Sequence, residues 1–388
     1  MADDATPPGP APGSPQDPAP DARDAARPGA PSGSADVPLV IPSANPHAPP
    51  RKPQPGFGWS VLWTLGFAAV LYGTLIAIVL VAAVVLSARG ESLTPPPGAD
   101  ANTVPPALAD VLAVSIPVSY FAALLFTVLA LRVVAGRGWH RQLGLHRLPV
   151  LHLLLALVAL PGFVIVSDGI SRVLMRVFGS DEVSGQEQVL QELFTSFPAW
   201  FAVLAIGVGP GVVEELWCRG FLGRGLVGRY GWPTGILLAS LFFGLLHMWP
   251  PWYVLVTAVM GIGLHLVYLA SRSLWVPMVL HTLNNSLAVL LSIGAIPSGG
   301  LEQNLAAAPV LIPFLGMVVL AFAGVAMATG RVRLSPADPS APAWQPPYPG
   351  VADPPPGANA VVKGGRPNAA ATVLAVVSSA VLVYLLCR

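Results

Sequence analysis

Residues 211–220 read Gly-Val-Val-Glu-Glu-Leu-Trp-Cys-Arg-Gly and lie in an apolar run beginning near residue 197. A charge at the centre of a membrane span costs about 2.5–3.5 kcal/mol on insertion scales. A chain that keeps Glu214, Glu215 and Arg219 there uses them, so the stretch reads both as a membrane helix and as the centre of a polar site. The rest of the chain agrees with the first half of that reading. Of 388 residues, 54% are hydrophobic and only 10% charged, and the mean hydropathy is +0.67. Soluble domains carry about 25% charged residues. The expected fold class is therefore all-α, a polytopic membrane helix bundle.

Working outward, apolar runs of the roughly 20 residues that a spanning helix needs lie near 59–87, 110–134, 150–168, 197–218, 234–249, 252–271, 274–294 and 308–329. These are about eight transmembrane helices. A further run at about 369–387 is a probable separate C-terminal hydrophobic helix. Residues 1–55 are rich in Pro and Ala and lack apolar periodicity, as a disordered tail does. Residues 331–368 have the same character and read as a Pro-rich linker. The organisation expected is thus a 1–55 tail, a 56–330 membrane-embedded bundle, a 331–368 linker and a 369–388 helix. No cleavable signal peptide is visible, so the first span is expected to act as its own insertion signal.

Charge placement orients the bundle. Arg51 and Lys52, then Arg132, Arg137, Arg141 and Arg147, then Arg224 and Arg229, Arg272, and Arg331 with Arg333 fall on one side. Glu91, Asp100, Asp181, Glu182, Glu187 and Glu302 fall on the other, with Arg89, Arg172 and Arg176 as minority cations. Basic loops face the cytoplasm, so the expectation is a multi-pass cell-membrane protein with a cytoplasmic N-terminus. A net charge of +1 gives no sign of a nucleic-acid partner. Cys218 and Cys387 cannot build a disulfide framework.

Downstream runs add Phe243, His247, His281 and Asn285. On a helix Glu214 and Glu215 point about 100° apart, while Glu215 and Arg219 are i,i+4 neighbours able to pair. Phe243 shares a face with His247, and His281 with Asn285, by the same spacing. Glu214 precedes Gly231 by 17 residues and His247 follows it by 16. If Tyr230-Gly231-Trp232-Pro233 is the turn of an antiparallel pair, both sit about 25 Å from it at 1.5 Å per residue. A buried carboxylate suits general-base work near neutral pH. Glu214 could activate water, His247 could position it or carry the proton to the leaving amine, and His281 and Asn285 could donate to the oxyanion. Glu215, Arg219 and Phe243 would support them.

Other chemistries fit less well. There is no His-Glu-x-x-His zinc motif and no Gly-x-Ser-x-Gly elbow. No metal ligands are assigned, though Glu214, His247 and His281 would be the ligands if a divalent ion such as zinc were bound. Asp168 lacks a partner for an aspartyl dyad, and His265 reads as a packing or hydrogen-bonding residue.

These residues resemble the CAAX prenyl protease and bacteriocin-processing (CPBP) family of intramembrane glutamic endopeptidases. The family pattern is Glu-Glu-x-x-x-Arg, Phe-x-x-x-His and His-x-x-x-Asn on separate helices. The chain has Glu214-Glu215-Leu-Trp-Cys-Arg219, Phe243-Gly-Leu-Leu-His247 and His281-Thr-Leu-Asn-Asn285 in that order, with Ser271-Arg-Ser-Leu-Trp-Val-Pro277 between the last two. The likeness covers about 195–295. Trp217-Cys218 stand where a Phe commonly precedes the Arg, a change that keeps the polarity. The resemblance implies a helical core with a water-filled cavity. It implies that Glu214 activates water with help from His247, and that His281 and Asn285 stabilise the oxyanion. It also leaves open a metalloendopeptidase reading, since a metal has been proposed for this family. The implied activity is an intramembrane endopeptidase acting on a membrane-associated protein or peptide within the lipid bilayer. Family members include prenyl-protein proteases and bacteriocin-processing or immunity proteins, so the alternative is a non-catalytic membrane scaffold or bacteriocin-immunity protein. A proton-relaying transporter would show repeated halves, and none is evident. The Ala-, Pro- and Arg-rich composition suggests a bacterial source, and no prenyl substrate is assigned.

Overall fold

The helix that carries the two glutamates runs without a break from Ala199 to Tyr230, yet it is not uniform. It passes through two π-helical stretches, Val203–Val208 and Leu216–Gly223. The first ends just ahead of Pro210, whose ring would collide with the carbonyl four residues back in a regular α-helix. Widening the turn accommodates the ring, and wide turns of this kind concentrate at functional sites.

The computed structural model describes residues 40–41, 55–94, 104–145, 148–179, 192–194, 196–248, 250–297, 300–336, 346, 348–351 and 360–387. The other positions lie outside the described residues. They include nearly all of the 1–55 tail, much of the 331–368 segment and the loop charges Arg51, Lys52, Asp100, Arg147, Asp181, Glu182 and Glu187. The described elements all belong to one unit, Leu39–Arg388.

The principal helices are α1 Phe57–Ala88, α2 Pro106–Val134, α3 Val150–Phe178, α4 Ala199–Tyr230, α5 Trp232–Leu245, α6 Pro251–Ser271, α7 Trp275–Ser292, α8 Leu311–Thr329 and α9 Ala369–Cys387. Among the described residues, seven helices are long and apolar enough to cross a membrane: α1 to α4, α6, α8 and α9. The chain is an all-α polytopic bundle. Two of the runs expected as spans differ. α5 has only 14 residues, and α7, with 18, is diluted by His281, Asn284 and Asn285. In α7 the polar site residues themselves lower the membrane signal, whereas α5 is apolar and falls short on length alone, with His247 two residues past its end. α3 extends ten residues past its expected end at 168. Ser167 and Ser171 hydrogen-bond to carbonyls one turn back, and Arg172 pairs with Asp168 at 2.8 Å, so these polar residues prolong the helix. It ends at Gly179, in the left-handed conformation that closes helices.

α1 shows how thin the packed face of a membrane helix is. Its buried residues are Ser60, Thr64, Phe67 and Leu71, a single stripe at spacings of four, three and four. The stripe's Phe67 stacks on Trp217 of α4 at 4.6 Å, and Trp217 stacks on Phe221 at 4.7 Å. Most other α1 side chains point outward and are apolar, as a lipid-facing helix requires.

α4 and α7 meet through small residues. A Cβ at Gly207 would collide with the Ser286 side chain, and one at Gly211 would collide with Thr282, lying 2.8 Å from its backbone nitrogen. Two glycines four apart therefore face two hydroxyl residues four apart, the small-xxx-small approach of membrane helices. α4 and α5 turn at Gly231, whose φ of +79° suits glycine.

α9 packs back on the bundle. Ala371 and Ala375 join a cluster with Leu155, Ala326 and Met327, and Leu382 joins Ile165, Ile312 and Val319. The segment between α8 and α9 also contributes structure. β2 (Arg333–Pro336) pairs antiparallel with β3 (Ala360–Lys363), and β3 with β1 (Val40–Ile41). Tyr348 from the same segment is fully buried against α4 and α6.

Candidate active site

The close approach of α7 to α4 sets its side chains beside the glutamate pair. Glu215 and Arg219 are both fully buried, and Arg219 Nη1 donates to Glu215 Oε1 at 2.7 Å. Arg219 Nη2 donates to the Gly261 carbonyl of α6 at 2.9 Å, and its guanidinium lies over the Phe243 ring, 4.8 Å from the centroid. The i,i+4 pair thus forms within α4, and it is held by two further helices, α6 and α5.

Glu215 has a second partner. His281 Nδ1 lies 2.8 Å from Glu215 Oε1. A carboxylate only accepts, so the proton in that bond sits on Nδ1. The other ring nitrogen, Nε2, faces Glu214 Oε2 at 3.9 Å. Glu214 is 7% exposed. Its Oε1 accepts from the Tyr120 hydroxyl at 2.6 Å, whereas Oε2 has no hydrogen-bond partner among the described residues. Each carboxylate is thus held by Oε1 and leaves a buried Oε2 without a hydrogen-bond partner among the described residues. They differ in what holds Oε1: the Arg219 guanidinium and His281 for Glu215, and the neutral Tyr120 hydroxyl for Glu214.

His247 closes α5. Its Nδ1 lies 2.9 Å from the Phe243 carbonyl, which again places the proton on Nδ1 and leaves Nε2 with its lone pair. Phe243 stands between the two histidines, edge-on to His247 at 5.0 Å and to His281 at 5.9 Å. Tyr253 packs edge-on against His247 at 5.3 Å, and Tyr72 of α1 donates to the Leu246 carbonyl next to it. Asn285 lies one turn beyond His281 on α7. Its Oδ1 accepts from Asn284 Nδ2 at 3.2 Å, which turns the Asn285 amide so that its Nδ2 protons are the donors left to act.

Glu214, Glu215, Arg219, Phe243 and His281 are thus linked by direct contacts. His247 joins them through Phe243, and Asn285 by its place on the His281 face. Tyr120, Tyr72 and Tyr253 were not anticipated. Each is one aromatic in an apolar run, with no spacing to mark it, although Tyr253 follows the Trp-Pro-Pro-Trp stretch just after His247. Among the described residues no three His, Cys, Asp or Glu side chains, Glu214, His247 and His281 included, are grouped so as to hold an ion.

Comparison with known proteins agrees with this geometry. The family model described as "Type II CAAX prenyl endopeptidase Rce1-like" matches residues 196–287, which include all seven motif residues. The Bacillus subtilis (strain 168) protein named "Putative membrane peptidase YdiL" is 27% identical over 183 residues, covering 45% of this chain and 70% of that protein. No solved structure matches. One likeness is to a family described as CAAX prenyl endopeptidases and the other to a protein named as a membrane peptidase, so at the level of the family this multi-pass membrane protein is similar to peptidases over the region where the three motifs gather.

Proposed function

We propose that the protein is an intramembrane endopeptidase that hydrolyses a peptide bond of a membrane-associated protein or peptide with water activated by Glu214. The observation that carries this reading is the asymmetry of the Glu214 carboxylate. Tyr120 holds Oε1 at 2.6 Å, while buried Oε2 lacks a hydrogen-bond partner among the described residues and faces His281. That is the arrangement of a base aimed at a water molecule.

In the proposed reaction Glu214 Oε2 takes a proton as the water oxygen attacks the scissile carbonyl carbon. The carbonyl oxygen becomes an oxyanion, and Asn285 Nδ2 donates to it. His281 can donate at the same time only as the imidazolium, because its Nδ1 proton is engaged with Glu215. Collapse of the tetrahedral species breaks the C–N bond, and the proton taken by Glu214 passes to the leaving nitrogen, directly or through His247 Nε2. The ion pair and Phe243 hold the histidines in place. The absence of a three-ligand grouping among the described residues supports a reaction written without a metal. The charge pattern supports a cytoplasmic N-terminus, and the Ala-, Pro- and Arg-rich composition supports a bacterial cell membrane as the setting.

The test compares membranes carrying the wild-type chain with membranes carrying Glu214→Ala at matched expression, each with and without a chelator, and searches for new peptide N-termini. Termini that need Glu214 and persist in chelator are expected. Identical termini in both membranes would overturn the peptidase reading and favour the scaffold or immunity alternative. Loss of cleavage in chelator would overturn the metal-free mechanism.

A further inference from the structure

The fully buried Tyr348 lies outside the motifs, in a Pro-Pro-Tyr-Pro-Gly stretch (346–350) beyond α8. Its hydroxyl lies 2.6 Å from His265 Nδ1 on α6 and donates to the Arg219 carbonyl on α4 at 3.3 Å. Because that O–H goes to a carbonyl, His265 supplies the proton in the other bond. Burial pushes the Tyr348 hydroxyl well above the ordinary tyrosine range, so it stays a neutral donor. Its ring meets Tyr268 edge-on at 5.2 Å.

The surroundings are shaped for this segment. A Cβ at Gly223 would lie 2.7 Å from both the Tyr348 hydroxyl and His265 Cε1, so only glycine there admits the tyrosine. Arg272, at the end of α6, donates from Nη2 to the Pro346 carbonyl at 2.8 Å and from Nε to the Val332 carbonyl at 3.1 Å. Arg224 Nη1 reaches the Gly350 carbonyl at 3.4 Å. Gly350 has φ +75°, and a Cβ there would lie 2.9 Å from Arg224 Cδ. Two arginines, a histidine and one glycine of required size, Gly223, therefore receive a few residues of chain, and Gly350 lets that chain turn beside Arg224.

We propose that Tyr348 is a positioning residue for the glutamate site, and that Pro346 and the stretch 348–351 act as a strap tying α4 to α6 behind Arg219. The connection is short. Tyr348 bonds the backbone of Arg219 and a side chain of α6, and the Arg219 side chain bonds Glu215 and the Gly261 carbonyl of the same α6. Glu215 holds His281, which faces Glu214. A shift of the Arg219 backbone reaches His281 through two hydrogen bonds, and His281 faces the reacting carboxylate at 3.9 Å. The effect on turnover rests on the peptidase reading, but the docking of the strap does not.

The experiment uses the full chain in membranes with Cys387→Ser, leaving buried Cys218 as the one thiol. Cys218 belongs to the same core cluster as Tyr348. Two quantities are read: the rate at which a membrane-permeant maleimide labels Cys218, and kcat and KM for a peptide bond whose cleavage needs Glu214. Tyr348→Phe keeps the ring and removes the hydroxyl. It is expected to label as slowly as the parent, with kcat lowered about tenfold, the worth of one buried hydrogen bond, and KM within about twofold. Tyr348→Ala is expected to label at least about tenfold faster, because local opening of the strap exposes the thiol. Unchanged labelling in Tyr348→Ala would overturn the strap. Unchanged kcat in Tyr348→Phe would overturn the positioning role. If the parent itself shows no Glu214-dependent cleavage, the peptidase reading fails, and faster labelling of Tyr348→Ala still supports the strap.

Discussion

At Glu214 one hydroxyl decides which oxygen is free. Tyr120 fixes Oε1, so its removal leaves the carboxylate able to turn away from its target. Tyr120→Phe should lower kcat about tenfold, the worth of one hydrogen bond to a charged group, with KM little changed. Steady-state rates on a Glu214-dependent substrate test this, and a wild-type kcat would remove Tyr120 from the site. The Glu215–Arg219 pair makes a different kind of prediction. Arg219→Met strands a fully buried carboxylate and should cost about 3–5 kcal/mol. Adding Glu215→Gln should recover much of that stability without restoring activity, because Arg219 no longer holds the Gly261 carbonyl and the Phe243 ring in place. Thermal unfolding in detergent follows both variants, and equal melting temperatures for the single and double variants would argue against a buried ion pair. These charged residues were legible because charge in an apolar run is conspicuous. Tyr120 was not, since a tyrosine in such a run is ordinary and its partner lies 94 positions away.

Among the elements, the contact between α4 and α7 has the greatest consequence for the site. Gly207 and Gly211 let α7 approach closely enough for His281 to reach Glu215. Gly211→Ala would place a methyl 2.9 Å from Thr282 Cα, and backbone cannot rotate aside. Overpacking of this kind costs about 1–3 kcal/mol and should separate the two helices at the level of the site. Gly73→Ala, with nothing within 4 Å, is the matched control. The expected result is a lower melting temperature and lost cleavage for the first and neither for the second. If both behave alike, the close approach does not position the site. The sequence showed the spans of α1, α2, α6, α8 and α9 clearly, because long apolar runs have few alternatives. It was weakest on α3, whose polar end continues the helix, and on the short α5. The π-helical turns of α4 had a single cue in Pro210, which marks a disturbed turn without saying how the helix absorbs it.

In the molecule as a whole, the region after α8 divides into two parts with different work. Tyr348 lies under the glutamate helix, whereas α9 covers α3 and α8 on another face. Composition could not separate them, since Pro-rich sequence specifies neither burial nor partner, and the contacts of Tyr348 come from residues more than eighty positions earlier. A chain ended after Val351 keeps the strap and loses β3 and α9. α9 buries only small or single apolar residues, namely Ala371, Ala375 and Leu382 with two serines. Its loss should therefore lower the melting temperature by about 5 °C while Glu214-dependent cleavage survives. A chain ended after Gly330 loses the strap as well and should lose most of the cleavage at matched membrane abundance. Ending the series at both points separates a covering role from a positioning one. Equal activity in the two truncated chains would show that nothing beyond α8 acts on the site. Loss of activity in the longer one, still folded, would move the dependence from Tyr348 to α9.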